Sequence, residues 1–180
     1  MKIYIDPILG RVGGSSLLGV DCSTPTLGNA CTSWASEGLT VRWLRGSRMR
    51  TVTGLYDECA AALQFPSYFG YNMAALHECL ADLDWIEFSS LVIVLFDADE
   101  ILIGDDLDSL VWGFINAYEG FATPVESGEY WDRPAKPFHV VLQVSVAGSL
   151  RWTSAQESIC ANSHGLTVSR GGGAFEWIHL

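Results

Sequence analysis

Hydrophobic residues along this chain recur in two periods, and the switches between them mark out its elements. Leu39-Thr-Val-Arg-Trp-Leu44 alternates and stops at Arg45-Gly46, which predicts a strand. From about Thr53 to Leu63 the apolar positions Leu55, Cys59 and Leu63 stand at i, i+4 and i+8, the stripe of a helix that Phe65-Pro66 must end. A second helical period follows from Asn72 to Leu83, on Met73, Leu76, Leu80 and Leu83. Leu91-Val-Ile-Val-Leu-Phe96 is apolar at every position and β-branched at several, the pattern of a central strand covered on both faces. Residues 106–118 return to the helical period, with Leu107, Leu110, Val111, Phe114 and Ile115 on the inner side. A Gly-, Pro- and acid-rich loop is expected over 119–137, and Phe138 to Val144 predicts another strand. Strand, two helices, strand, helix, strand is the order of an α/β fold with a small central parallel sheet flanked by helices.

The two ends lack this regularity and predict β-rich extensions. Before residue 39 the sequence suggests a strand at 2–5, a turn through Gly13-Gly14, a strand near Leu17 to Val20, and a Ser/Thr/Gly-rich connection. After Gly148 it suggests a hairpin-like appendage with strands at 150–152 and 175–178, separated by a turn at Gly171-Gly-Gly173. The expected organisation is therefore an N-terminal extension over 1–38, a main domain over 39–147 and a C-terminal appendage over 148–180.

Charge changes the picture from a generic α/β domain to one with a preferred kind of partner. The 180 residues carry a formal charge of −11, and from Thr51 to Asp132 there are sixteen Asp or Glu and no Lys or Arg. Such a surface repels nucleic acid and anionic membranes and attracts cationic proteins. Five cysteines, with no Cys-x-x-Cys pair, indicate neither a disulfide framework nor a zinc ribbon. The N-terminus has no long apolar signal segment and no apolar run approaches a membrane span, so a cytoplasmic protein is expected. His77, His139, His164 and His179 do not stand at ligand spacing on one element, and no cofactor or metal is expected. His77 flanks the apolar stripe and is expected to be a satisfied boundary residue.

The helix over Asn72 to Leu83 is where binding chemistry concentrates. Opposite its apolar stripe stand Tyr71, Ala74, Glu78, Asp82 and, if the last turn persists, Trp85, with Tyr68 and Phe69 just before. Carboxylates beside aromatic rings suit guanidinium groups, through bidentate hydrogen bonds and stacking. Asn72 is expected to cap the helix, and Gly70 to take a backbone conformation denied to other residues, making the turn rigid. A rigid turn lowers the ordering cost of binding.

Leu44-Arg-Gly-Ser-Arg-Met-Arg-Thr-Val-Thr-Gly-Leu55, then Phe65-Pro-Ser-Tyr-Phe-Gly-Tyr-Asn-Met-Ala-Ala-Leu-His-Glu-Cys-Leu80, then the apolar strand at 91–96, resembles the barstar family of intracellular ribonuclease inhibitors over about residues 39–146. The resemblance implies a protein that plugs the active cleft of a basic, barnase-like ribonuclease toxin in a 1:1 complex, as a bacterial immunity protein or antitoxin. It implies that Glu78 is the central anion, that Tyr68 and Gly70 lie in the contacting loop, and that Asn72 begins the helix. Four positions depart from the family pattern. Glu78 replaces a shorter aspartate, Ala74 stands where a second acid is usual, and His77 occupies an aromatic position. The acid of a later helix aligns near Asn116, with Glu119 close by. These departures leave open a different basic toxin, or a noncatalytic adaptor that binds another protein.

An enzyme reading attaches to Asp97 and Asp99, which close the apolar strand at 91–96 and look like the Mg²⁺ and nucleophile site of a phosphotransferase. The nearest following cation is Arg133, and a whole enzyme of that class does not fit in the chain after residue 99. Gly-x-Ser-x-Gly is absent, and Cys79 lies on the apolar stripe, so catalysis is not expected.

Overall fold

The computed structural model describes residues 8–104, 107–162, 175–178 and 180. Its chain runs β1 (Leu17–Val20), α1 (Thr24–Ser36), β2 (Thr40–Arg45), α2 (Val52–Leu63), α3 (Met73–Asp82), β3 (Leu91–Phe96), α4 (Leu107–Ala122), β4 (Phe138–Gln143), α5 (Val146–Asn162) and β5 (Glu176–Trp177). The five strands form one sheet in the order β2-β3-β4-β1-β5, and every pairing is parallel. This is the α/β parallel-sheet fold that the periodicity predicts.

β3 explains how the layers assemble. All six of its residues are buried, and alternate side chains leave opposite faces of the sheet. Leu91, Ile93 and Leu95 enter one core with α2, α3, α4 and α5. Val92, Val94 and Phe96 enter a second core with Leu27, Ala30, Cys31 and Trp34 of α1. Helices therefore cover both faces, as a fully parallel sheet requires.

The ends differ from expectation in an instructive way. β1 forms at the expected residues, but it lies between β4 and β5 in the main sheet. The expected connection after it is the helix α1, with Ser23 as N-cap, Pro25 in the first turn, and Leu27, Ala30, Cys31 and Trp34 at helical spacing. Leu150, Arg151 and Trp152, expected in a strand, belong to α5. Trp152, Ala155 and Gln156 are buried on one side of that helix, at i, i+3 and i+4. Arg151 anchors the helix by donating to the backbone carbonyls of Asp99, Ile101 and Leu102 at 3.0–3.3 Å. α4 also continues past residue 118 to Ala122, into what reads as loop. β5 falls within the strand expected at 175–178. The expected strand at 2–5 and the turn at Gly171-Gly-Gly173 lie outside the described residues.

His139 ties residues 11–15 to the sheet. It is fully buried on β4, and its two ring nitrogens lie 3.1 Å from the carbonyl oxygens of Ser15 and Arg11. The turn between those carbonyls bends through Gly13 and Gly14, at φ 101° and 91°.

Candidate protein-binding face

The aromatic turn and α3 are built by local chemistry. Asn72 has extended φ/ψ, and its side-chain oxygen accepts from Ala75 N at 2.9 Å, so it is the N-cap that the sequence predicts. The same side chain turns back and donates through Nδ2 to Gly70 O at 3.2 Å. The positive φ of the turn belongs to Tyr71, at 48°, and not to Gly70. A side chain at Gly70 would instead disturb the cap, because its Cβ would stand 2.9 Å from Asn72 Nδ2. Tyr71 is held in the left-handed region while its ring lies 4.8 Å from that of Phe69.

Phe69 anchors the turn from below. It is buried, and its ring meets Phe65 at 4.9 Å and Tyr56 at 6.1 Å. It supports the face and does not line it. Trp85 is also off the exposed stripe, because α3 ends at Asp82 and Leu83 takes a left-handed C-cap at φ 48°. Its indole nitrogen donates to Leu63 O at 2.8 Å, and its ring packs on Phe65 at 6.0 Å.

What remains at the surface is a coherent patch. Tyr68 and Tyr71 are 72% and 58% exposed, and Gly70, Asn72, Ala74, Glu78 and Asp82 are exposed with them. Partial burial, then the charge of its neighbour Asp84, holds the Asp82 carboxyl above the usual range. Partial desolvation, then the charge of Asp82, raises the Tyr68 hydroxyl, so the loop tyrosine and the last acid of the helix share one neighbourhood. Asp82, Asp84 and Glu87 line a cleft of about 370 Å³ together with Phe88, Phe121, Arg133 and Lys136.

α4 forms the flank. His77 reaches across to it, with Nε2 at 2.8 Å from Ser109 O and its ring 4.6 Å from Trp112. The carbonyl can only accept, so Nε2 carries the proton. Burial pushes the His77 pKa below its ordinary value. This is the satisfied boundary residue that the sequence suggests. The helices approach closely at Gly113, where a Cβ would stand 2.7 Å from His77 Cδ2. Asn116, half-buried, lies one turn beyond Trp112 on α4. Glu119 is half-buried too; burial raises its pKa, and its buried Oε1 has no hydrogen-bond partner among the described residues. Trp112, 37% exposed, was not singled out from sequence, although a helical wheel places a tryptophan beside the apolar stripe of α4.

Asp97 and Asp99 sit elsewhere, at the carboxyl ends of the strands, with Asp21, Cys22, Gln143 and Ser145. Asp97 takes a left-handed backbone conformation, and its N–H donates to Gln143 Oε1 at 3.2 Å. Asp99 Oδ2 accepts from Ser145 N at 3.1 Å, just before α5, a helix-capping role. Among the described residues, no group of three or more His, Cys, Asp or Glu is arranged to hold a metal ion. No helix among them is long and apolar enough to cross a membrane.

Among solved structures, the ADP form of the ORC2 protein of Aeropyrum pernix is similar with a TM-score of 0.45 and 12% identity, over 100% of this chain and 50% of that one. Among curated proteins none matches the sequence. Residues 39–143 match the family described as Barstar (barnase inhibitor). Those residues run from the start of β2 to the end of β4 and contain the whole aromatic turn, α3 and its flank. Matched over more than half of its length, the chain belongs to the Barstar family.

Proposed function

We propose that this protein is an inhibitor that closes the active cleft of a basic, barnase-like ribonuclease, as a cytoplasmic immunity protein in a 1:1 complex. The observation that carries the reading is the exposed stripe of α3. Glu78 and Asp82 face solvent one turn apart, with Tyr68 and Tyr71 standing beside them on a turn fixed by Asn72 and by the buried ring of Phe69. A ribonuclease cleft gathers cations to hold substrate phosphates, and carboxylates on a rigid helix can take the place of those phosphates. Little ordering is then needed on the inhibitor's side. Barstar family membership supports the same reading.

A second reading, a basic toxin of another kind, draws support from the exposed alanine at 74 and the half-buried Asn116, which supply no charge where the family pattern has acids.

The test is a titration of the wild type and of Glu78→Arg into a guanyl-specific microbial ribonuclease, with RNA cleavage followed at low and physiological salt. The proposal expects stoichiometric inhibition by the wild type, and a loss of at least ~100-fold in Glu78→Arg with its melting temperature nearly unchanged, because the position is a solvent-facing one on a helix. Absence of inhibition by the wild type at micromolar concentration would overturn the ribonuclease reading and leave the second.

A further inference from the structure

The loop between α4 and β4 ends in an aromatic pair that the fold does not use. Tyr130 is 94% exposed and Trp131 54%, and their rings meet edge to face at 4.8 Å. Two such side chains at a surface carry a large apolar area to no internal benefit.

The segment that bears them is held in one shape. Val125 and Arg133 exchange two backbone hydrogen bonds, at 2.9 and 3.0 Å. The Asp132 carboxylate accepts from Ser127 N, Ser127 Oγ and Gly128 N at 2.6–2.8 Å, which holds it below the usual carboxylate range. Arg133 donates to the carbonyls of Gly120 and Thr123, and its guanidinium lies 5.0 Å from the centre of the Phe121 ring. Lys136 covers Phe88 at 4.6 Å. Both cations of the stem thus lie against rings of the body of the fold, while Glu126 and Glu129 are exposed near the tip.

The stem also borders the acidic end of α3. Arg133, Lys136 and Phe121 line the same cleft as Asp82, Asp84 and Glu87, and Tyr68 senses the charge of Asp82. The stem of the aromatic loop therefore adjoins the acidic end of the face built on α3.

We propose that residues 125–133 are a second arm of the same interface, with Tyr130 and Trp131 as its contact residues. The arm rests on the inhibitor reading and takes the same basic protein. Glu126 and Glu129, exposed on the same loop as the two rings, match cationic side chains at the rim of the partner's cleft, through charge and through stacking of guanidinium or ammonium groups on the rings. The fixed shape of the loop lowers the ordering cost, which marks a contact arm and not a tether.

The experiment uses the full chain as wild type, as Glu78→Arg and as the double variant Tyr130→Ser/Trp131→Ser, each bound to a barnase-like ribonuclease and followed by surface plasmon resonance. Melting temperatures and the sedimentation of the free proteins are measured in parallel. The expected result is a double variant that melts with the wild type and binds at least ~10-fold more weakly, through faster dissociation. An affinity within about twofold of wild type, while Glu78→Arg loses binding, overturns the arm and leaves the inhibitor function standing. Failure of the wild type to bind overturns both. A concentration-dependent dimer of the free wild type, abolished in the double variant, also overturns the arm and assigns the aromatic pair to self-association.

Discussion

Asp82 is held against its own interest. Burial, and Asp84 two residues on, both disfavour its ionised form, so the folded protein retains this proton to a higher pH than the unfolded chain does. A raised carboxyl contributes stability below its unfolded value and loses it as pH rises through the folded one. At neutral pH the charge is therefore a cost to folding, and Asp82→Asn should raise the melting temperature at pH 7 with little change near pH 3. Thermal melts at the two pH values check the sign. If α3 is the binding face, the same variant should bind a cationic partner more weakly, a stability gained at the expense of function. Glu58 runs the other way. Its burial acts to raise the pKa, but hydrogen bonds from Arg45 N, Nε and Nη2 at 2.8–3.0 Å outweigh it, and the carboxyl sits below its usual range. Glu58→Ala should cost about 1–3 kcal/mol by chemical denaturation at pH 7, with the difference from wild type shrinking as pH falls through the carboxylate range. At this scale the cap was legible and the strain was not. Asn72 could be read as a cap because its bond reaches only three residues on. The left-handed backbone fell on Tyr71 and not on Gly70 because the packing of Phe69 fixes where the chain must turn.

α3 and α4 meet at a point where neither has room to spare. Adding a methyl group at Gly113 would bring it to 2.7 Å from His77 Cδ2, so Gly113→Ala should force the helices apart and cost about 1–3 kcal/mol, read from denaturant midpoints. His77 makes the same contact sensitive to pH. Burial lowers its pKa from 6.5, so below that value the unfolded chain takes up the proton first and stability falls with pH. His77→Gln, whose amide can still donate to Ser109 O, should flatten that part of the stability–pH profile. Elements with strong periods were legible: β3 spans the residues that its apolar run marks, and α2 and α3 begin at capped positions. α1 and α5 were missed although their stripes are present. Their Ser, Thr and Gly content lowers helix propensity, and burial of Trp34 and Trp152 against the sheet overrides it.

A formal charge of −11 acts on the whole surface at once. Association with a basic partner should be fast at low salt and slow by roughly tenfold or more as the Debye length contracts toward 8 Å, with dissociation much less affected. Stopped-flow association rates across a salt series check this. The acidic balance, the turn-cap-helix segment and the alternation of strands with helices over β2 to β4 are properties of sequence alone, because each depends on composition or on neighbours a few residues apart. Tertiary structure decided the rest. It placed β1 beside β4 and sent α1 to the second face, since a parallel sheet leaves that face bare until a helix covers it. It turned Phe69 and Trp85 inward, and brought Asp82 and the stem of the 125–133 loop around one cleft. Those juxtapositions join residues up to 123 positions apart, as Leu17 lies beside Val140. No local period encodes them, because they are set by which buried surfaces can be satisfied together.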